Sequence, residues 1–209
     1  MCHIRISNRW SSIMVNPTPW SVVAEYYRLV SRGVDDSPPT SPDRCSNPTN
    51  HVKYPVSVVQ RFFQTMLMPD VTSVGGVGVE AHVTEWKNIS AIYPDFDMRI
   101  VRIEEGPSGE VVVASKTILT FSEDTFRNAY PHMLDNSNKN VITAKLWGQK
   151  IEVATVAHFV WNNTMGRIAE IMFQVDMIPP LVQVLGSLEL VANLFSYAFL
   201  TPEGHVVVA

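Results

Sequence analysis

Apolar positions along this chain follow a helical period first and a strand period later. From Trp20 they fall at Trp20, Val23, Ala24, Tyr27 and Val30, opposite a polar stripe of Ser21, Glu25, Arg28 and Arg32. Pro19 suits a first helical turn, Thr18 is placed to cap it, and Gly33 ends it. Pro55 opens a second helix whose apolar face is Val58, Val59, Phe62, Phe63, Met66 and Leu67, with Pro69 as its stop. Val71 to Val79 reads as a short strand or a glycine-rich loop. A third helix carries Val79, Val83, Trp86, Ile89 and Tyr93 on one side and closes at Pro94.

Beyond Pro94 the period drops to two. Phe96 to Glu105 alternates, Gly106-Pro107-Ser108-Gly109 turns, and Glu110 to Ser122 returns as a strand rich in Val, Ile and Thr. Asp124 to Asn140 reads as a loop around a short helix, and Val141 to Trp147 is ambiguous. Gly148 to Met177 is a long hairpin. Ile151, Val153, Thr155, Ala157, Phe159 and Trp161 share one side of its first arm. Ala169, Ile171, Phe173, Val175 and Met177 alternate along the second arm, and Asn162 to Gly166 supplies the turn. Pro179 and Pro180 end the hairpin, and helical pieces follow at Leu181 to Leu185 and Ser187 to Leu200. Helices followed by four antiparallel strands in a meander predict an α+β fold. The helices would pack in the concave face of a curved antiparallel sheet, giving a cone-like shape.

The domain limits follow from composition. Residues 1–16 read as a flexible lead-in, 17–200 as a single domain, and 201–209 as a tail. Residues 33–54 hold Pro38, Pro39, Pro42 and Pro48 among Ser, Asp, Asn and Thr. Such a segment buries too little to offset its ordering entropy, so a disordered insertion is expected there.

With 209 residues, 46% of them hydrophobic, the chain can build one sizeable core. A net charge of −4 excludes a broad basic surface for nucleic acid. Cys2 and Cys45 make no disulfide framework, which with the lack of a secretory h-region predicts an intracellular protein of nucleus or cytoplasm. No run is long and apolar enough to span a membrane. The histidines and cysteines show no ligand spacing, so neither metal nor cofactor is expected. Gly76-Val77-Gly78-Val79-Glu80-Ala81 has the form of a dinucleotide fingerprint, but antiparallel hairpins follow it, and a tight turn is the better reading.

Strand parity assigns the faces. The aromatic side of the hairpin should meet the helices, with Tyr27, Phe63, Trp86, Thr155, Phe159 and Phe173 lining any ligand pocket for an apolar small molecule. Asp97, Glu152, His158, Glu170, Gln174 and Asp176 then point outward, which leaves these strands no interior acid or base and predicts no catalytic residue. A polar group inside the cone would favour small-molecule work over pure protein interaction. The outward face mixes Ala154, Val156, Val160, Ile168 and Met172 with charge. Glu152, Ala154, Val156, His158, Ile168, Glu170, Met172 and Gln174 form a candidate interface for a second copy or a related protein.

Several strings resemble a domain that follows the bZIP segment in oomycete transcription factors. They include Asn16-Pro17-Thr18-Pro19-Trp20, Met68-Pro69-Asp70-Val71, Tyr130-Pro131-His132, Ala144-Lys145-Leu146-Trp147-Gly148-Gln149 and Leu185-Gly186-Ser187-Leu188-Glu189. The element order looks like the nuclear-transport-factor-2-like, or SnoaL-like, fold. The resemblance implies a regulatory or interaction domain, dimeric through its sheet. The basic region and zipper of those relatives have no counterpart in residues 1–16, so DNA binding is not carried over. The fold also hosts polyketide cyclases and ketosteroid isomerases, so an isomerase or cyclase using the helix–sheet cavity is the alternative.

Overall fold

The computed structural model describes residues 17–36, 53–134 and 141–207. Helix α1 (Pro19–Val30) starts where Thr18 accepts from the Ser21 backbone N–H, and Ser21 reaches back to the Thr18 N–H. Gly33 takes φ +77° just beyond its end, and a Cβ there would meet Ser90 Oγ at 2.8 Å. Short strands β1 (Val34–Asp35) and β2 (Tyr54–Pro55) pair in parallel, so the chain leaves and re-enters the domain at adjacent points. The four prolines expected to disorder the insertion lie outside the described residues.

Helix α2 (Val56–Met66) runs straight into β3 (Leu67–Ser73), followed by β4 (Gly76–Val77) and α3 (Val79–Ile92). Pro69 sits inside β3, between the points where that strand pairs with its neighbour, where its missing N–H costs no ladder bond. Gly78, at φ +96°, follows β4 and caps α3, so the Gly76–Ala81 string is the return strand of a short hairpin and a helix start; the tight turn expected there lies just before it, at Val74–Gly75.

Four long strands follow: β5 (Asp97–Glu105), β6 (Val111–Thr120), β7 (Lys150–Asn162) and β8 (Arg167–Asp176). They form the expected antiparallel meander. One difference is that the sheet continues past β8 through β3, which lies parallel to it, in the order β4-β3-β8-β7-β6-β5. The fold is α+β with a mixed sheet. The ambiguous Val141 stretch is a helix, α5 (Val141–Leu146), after α4 (Glu123–Ala129). Helices α6 (Ile178–Leu185) and α7 (Leu188–Phe195) close the described chain. The last stops short of the expected Leu200, because Leu200 bridges instead to Val206. Residues 201–207, expected as a tail, fold back against the sheet.

The core lies between α1–α3 and the inner sheet face. Tyr26 stacks on Phe63 at 5.4 Å between centroids and meets Phe159 edge-on at 5.2 Å. Parity along β7 holds: Ile151, Val153, Thr155, Ala157 and Phe159 are buried, while Glu152 and Ala154 are exposed. Three expectations for α1 fail. Trp20, 42% exposed, and Ala24 lie outside, because Val22, Tyr26 and Leu29 turn inward with Val23 and Tyr27. Glu25, expected on a solvated stripe, is only 3% exposed; Arg28 covers it with two hydrogen bonds and lies over the Tyr54 ring.

Candidate functional site

Helix α3 builds one wall of a cavity. His82, Trp86, Ile89 and Tyr93 lie at i, i+4, i+7 and i+11, so they share a stripe facing the sheet. The cavity beneath is about 80 Å³. Helix α3 contributes Glu85, Trp86, Ile89 and Tyr93 to its wall. The sheet contributes Met98, Thr117, Leu119, Val153, Thr155, Phe173 and Val175, and Phe96, Met177, Leu200 and Gly204 complete it. The 200–206 turn is held by Gly204 N–H donating to Thr201 O and Thr201 N–H to His205 O. Gly204 has φ +83°, and a Cβ there would press on Val175 at 3.0 Å.

Of the six residues expected to line a pocket, Trp86, Thr155 and Phe173 do so. Tyr27, Phe63 and Phe159 pack solidly in the adjoining aromatic core, all at most 1% exposed. The polar groups in this region come mainly from helices, where strand parity gives no view of them. Trp86 Nε1–H donates to the Tyr26 hydroxyl at 2.8 Å, and that hydroxyl lies 2.8 Å from His82 Nε2. His82 Nδ1 is 3.1 Å from Glu85 Oε2, and the Ser73 hydroxyl donates to the same oxygen at 3.4 Å.

The direction of the chain follows from its last member. A carboxylate only accepts, so His82 donates from Nδ1 to Glu85, and the Tyr26 oxygen, which accepts from Trp86, directs its own proton to His82 Nε2. This arrangement matches every donor with an acceptor around a fully buried His82. Burial, reinforced by the Glu85 charge, pushes the Tyr26 hydroxyl far above the usual tyrosine range, so it remains a donor. The relay ends at Glu85, a residue that lines the cavity, with its side chain 16% exposed.

The sequence reading does not include His82 or Glu85. The expected stripe holds, with Val83, Trp86 and Tyr93 buried and Val79 and Ile89 packed partly against the core, but the buried face is wider and takes in His82, for which the 82-86-89-93 spacing is the available signal. Tyr26, adjacent to the selected Tyr27, was missed because α1 buries more than one stripe.

The outer face is organised differently. Glu152, Ala154, Met172 and Gln174 are exposed there, and Val156, His158 and Glu170 half-buried. Ile168 is a correction: it is fully buried. The register shifts between Val160 and Trp161, so Val160 opposes Glu170 while Trp161 opposes Ile168. This bulge reverses the alternation and turns Ile168 inward. The register continues the apolar strip into β6, with Val112 opposite His158, Ala114 opposite Val156 and Ile118 opposite Glu152.

Charge lies beside and within the strip. Lys116, between Ala114 and Ile118 on β6, contacts Glu152 at 2.6 Å, and on β5 Arg102 contacts Glu104 at 3.0 Å. His158 lies 3.6 Å from Glu110 of its own chain, so it already has a carboxylate beside it. Asp97 shares the outer row with Ile118 and Glu152, as parity predicts, although Arg32 at 3.3 Å and Arg99 at 2.7 Å bury it to 8% exposure. Among the described residues, no helix is long and apolar enough to cross a membrane by itself.

Several solved structures are similar in backbone. Wild-type IdmH, a candidate polyketide cyclase from Streptomyces antibioticus, has 14% identity over 81% of this chain and 99% of its own, with a TM-score of 0.48. A candidate SnoaL-like polyketide cyclase from Shewanella denitrificans OS-217 has 10% identity over 82% and 98%, with a TM-score of 0.48. Another from Jannaschia sp. CCS1 has 14% identity over 62% and 80%, with a TM-score of 0.42. These likenesses give no residue to carry over. No curated protein matches the chain by sequence. The family match comes from α1 to α3: residues 20–92 match the model of the BZIP transcription factor 1 C-terminal domain.

Proposed function

We propose that this chain is a non-enzymatic regulatory and interaction domain, akin to the C-terminal appendage of bZIP regulators, that pairs through the outer face of its sheet. The observation carrying this reading is the half-exposed apolar strip of Val112, Ala114, Ile118, Val156, Val160 and Met172 across three adjacent strands. A solvated antiparallel face normally alternates to polar residues, whereas this one sets apolar residues among its charged ones. A two-fold partner needs one self-complementary patch, and a flat strip with both charge signs beside and within it meets that condition. Each Val or Met buried there contributes roughly 1.5–3 kcal/mol against the cost of association, enough for a modest dimer with a second copy or a related chain. The domain works inside the cell, in nucleus or cytoplasm.

Sedimentation of the wild type and Val156→Asp tests the pairing. The wild type should be a dimer at high micromolar concentration and the variant a folded monomer, because a buried, unpaired carboxylate is costly. A wild-type monomer, or a variant that stays dimeric, would refute the assignment.

A second reading, small-molecule binding in the interior, is favoured by one observation: Glu85, at the end of an ordered relay, is among the residues that line the cavity.

A further inference from the structure

We propose that the cavity beside Glu85 is a binding site for a small primary alkylammonium ion. The proposal rests on the second reading above and names its ligand class. Most of the cavity wall is hydrocarbon or aromatic, including Ile89, Leu119, Phe173 and Val175. Such walls select an apolar body, and aromatic faces tolerate a cation beside it. Among the described residues that line the cavity, Glu85 is the one acidic residue. Both of its hydrogen bonds, from His82 and Ser73, fall on Oε2, which leaves Oε1 for a ligand.

The relay makes this a built site. His82 holds the carboxylate through Nδ1, and the Tyr26 hydroxyl, itself held by Trp86, holds His82 through Nε2. Among the described residues no Lys or Arg pairs with Glu85, whose hydrogen bonds come from His82 and Ser73. An ammonium group supplies a cation and further donors. A carboxylate ligand would be repelled. The other wall polar groups, the Thr117 and Thr155 hydroxyls 3.3 Å apart, offer acceptors for further N–H bonds.

Size restricts the class further. An apolar cavity of about 150 Å³ accepts benzene, so one of about 80 Å³ holds three or four heavy atoms. That is propylammonium, or the aminoalkyl end of a longer molecule leaving past the Leu200–Gly204 turn. The partial exposure of Glu85 lets the ammonium keep some hydration, which limits its desolvation cost.

The test uses three probes of equal length at pH 7: n-propylamine, n-propanol and propionate. Binding is read by thermal shift and by saturation-transfer NMR on the full chain. Propylamine should bind at least tenfold more tightly than propanol, and propionate should not bind. Glu85→Gln should lower propylamine to the level of propanol and leave propanol unchanged. Equal binding of amine and alcohol, or a preference that survives Glu85→Gln, overturns the ammonium assignment while leaving the cavity a ligand site. No binding by any probe overturns the small-molecule reading as well. If Glu85→Gln does not fold, Leu119→Phe, which fills the cavity, must abolish propylamine binding; retained binding would overturn the proposal.

Discussion

The two faces of one sheet solve the problem of polar groups in opposite ways. On the inner side, the few polar groups are chained by direction, from Trp86 through Tyr26 and His82 to Glu85. Each bond there excludes water and fixes the next. On the outer side, charges pair across solvent, as Lys116 does with Glu152 at about half exposure for both partners. Such pairs stabilise by at most about 1 kcal/mol and leave the strip beside them open. Strands β6 and β7 supply both faces, so an inner change should register as stability and an outer change as association.

The largest separation should come at high pH. Burial raises the hydroxyls of Tyr26, Tyr27, Tyr93 and Tyr130 above their ordinary range. A group whose folded value is raised contributes stability that is complete below the unfolded value, near 10, and is lost as pH rises beyond it. Each buried tyrosine then adds up to about 1.4 kcal/mol of destabilisation per pH unit. Denaturant titrations should show stability flat from pH 7 to 9.5 and falling steeply above about 10, with these tyrosines ionising only as the chain unfolds. A stable fold with all tyrosines ionised at pH 12 would contradict the burial.

Single truncations sharpen the contrast. Phe159→Ala removes an inner ring packed on Tyr26, Tyr27 and Phe173, and should cost about 3–5 kcal/mol in urea unfolding. Met172→Ala, on the outer face of the next strand, should change monomer stability by no more than about 0.5 kcal/mol. A smaller inner effect is expected of Tyr26→Phe. It keeps the ring and strands the Trp86 N–H and His82 Nε2, costing about 1–3 kcal/mol. A cost near zero would mean that water enters to replace the hydroxyl.

Much of this was legible in the sequence, for a physical reason. Period-two alternation fixed the faces of β7, because one displaced residue would expose Phe159 and bury Glu152. Pro19, Thr18 and Gly33 marked α1 by local chemistry alone. Three features were not legible. The bulge that turns Ile168 inward depends on pairing, and no residue type announces it. Pairing of β3 beside β8 joins segments about a hundred residues apart by backbone bonds, which leave no side-chain signature. The burial of Glu25 depends on Arg28 and Tyr54, and an acidic residue on a helix reads as solvent-facing unless its partner is known. The site followed the same division: Thr155 and Phe173 came from parity, whereas His82 and Glu85 lie on a helix face wider than its apolar stripe.

The central claim is that the outer face is an interface and the inner face is not. Methionine methyl NMR tests it most directly, because Met172 lies outside at 44% exposure and Met98 lies in the cavity wall at 5%. A soluble paramagnetic agent is added at low and at high protein concentration. The account predicts that the Met172 methyl is broadened in the dilute sample and protected in the concentrated one, while Met98 is protected in both. A Met172 signal equally broadened at both concentrations would contradict it.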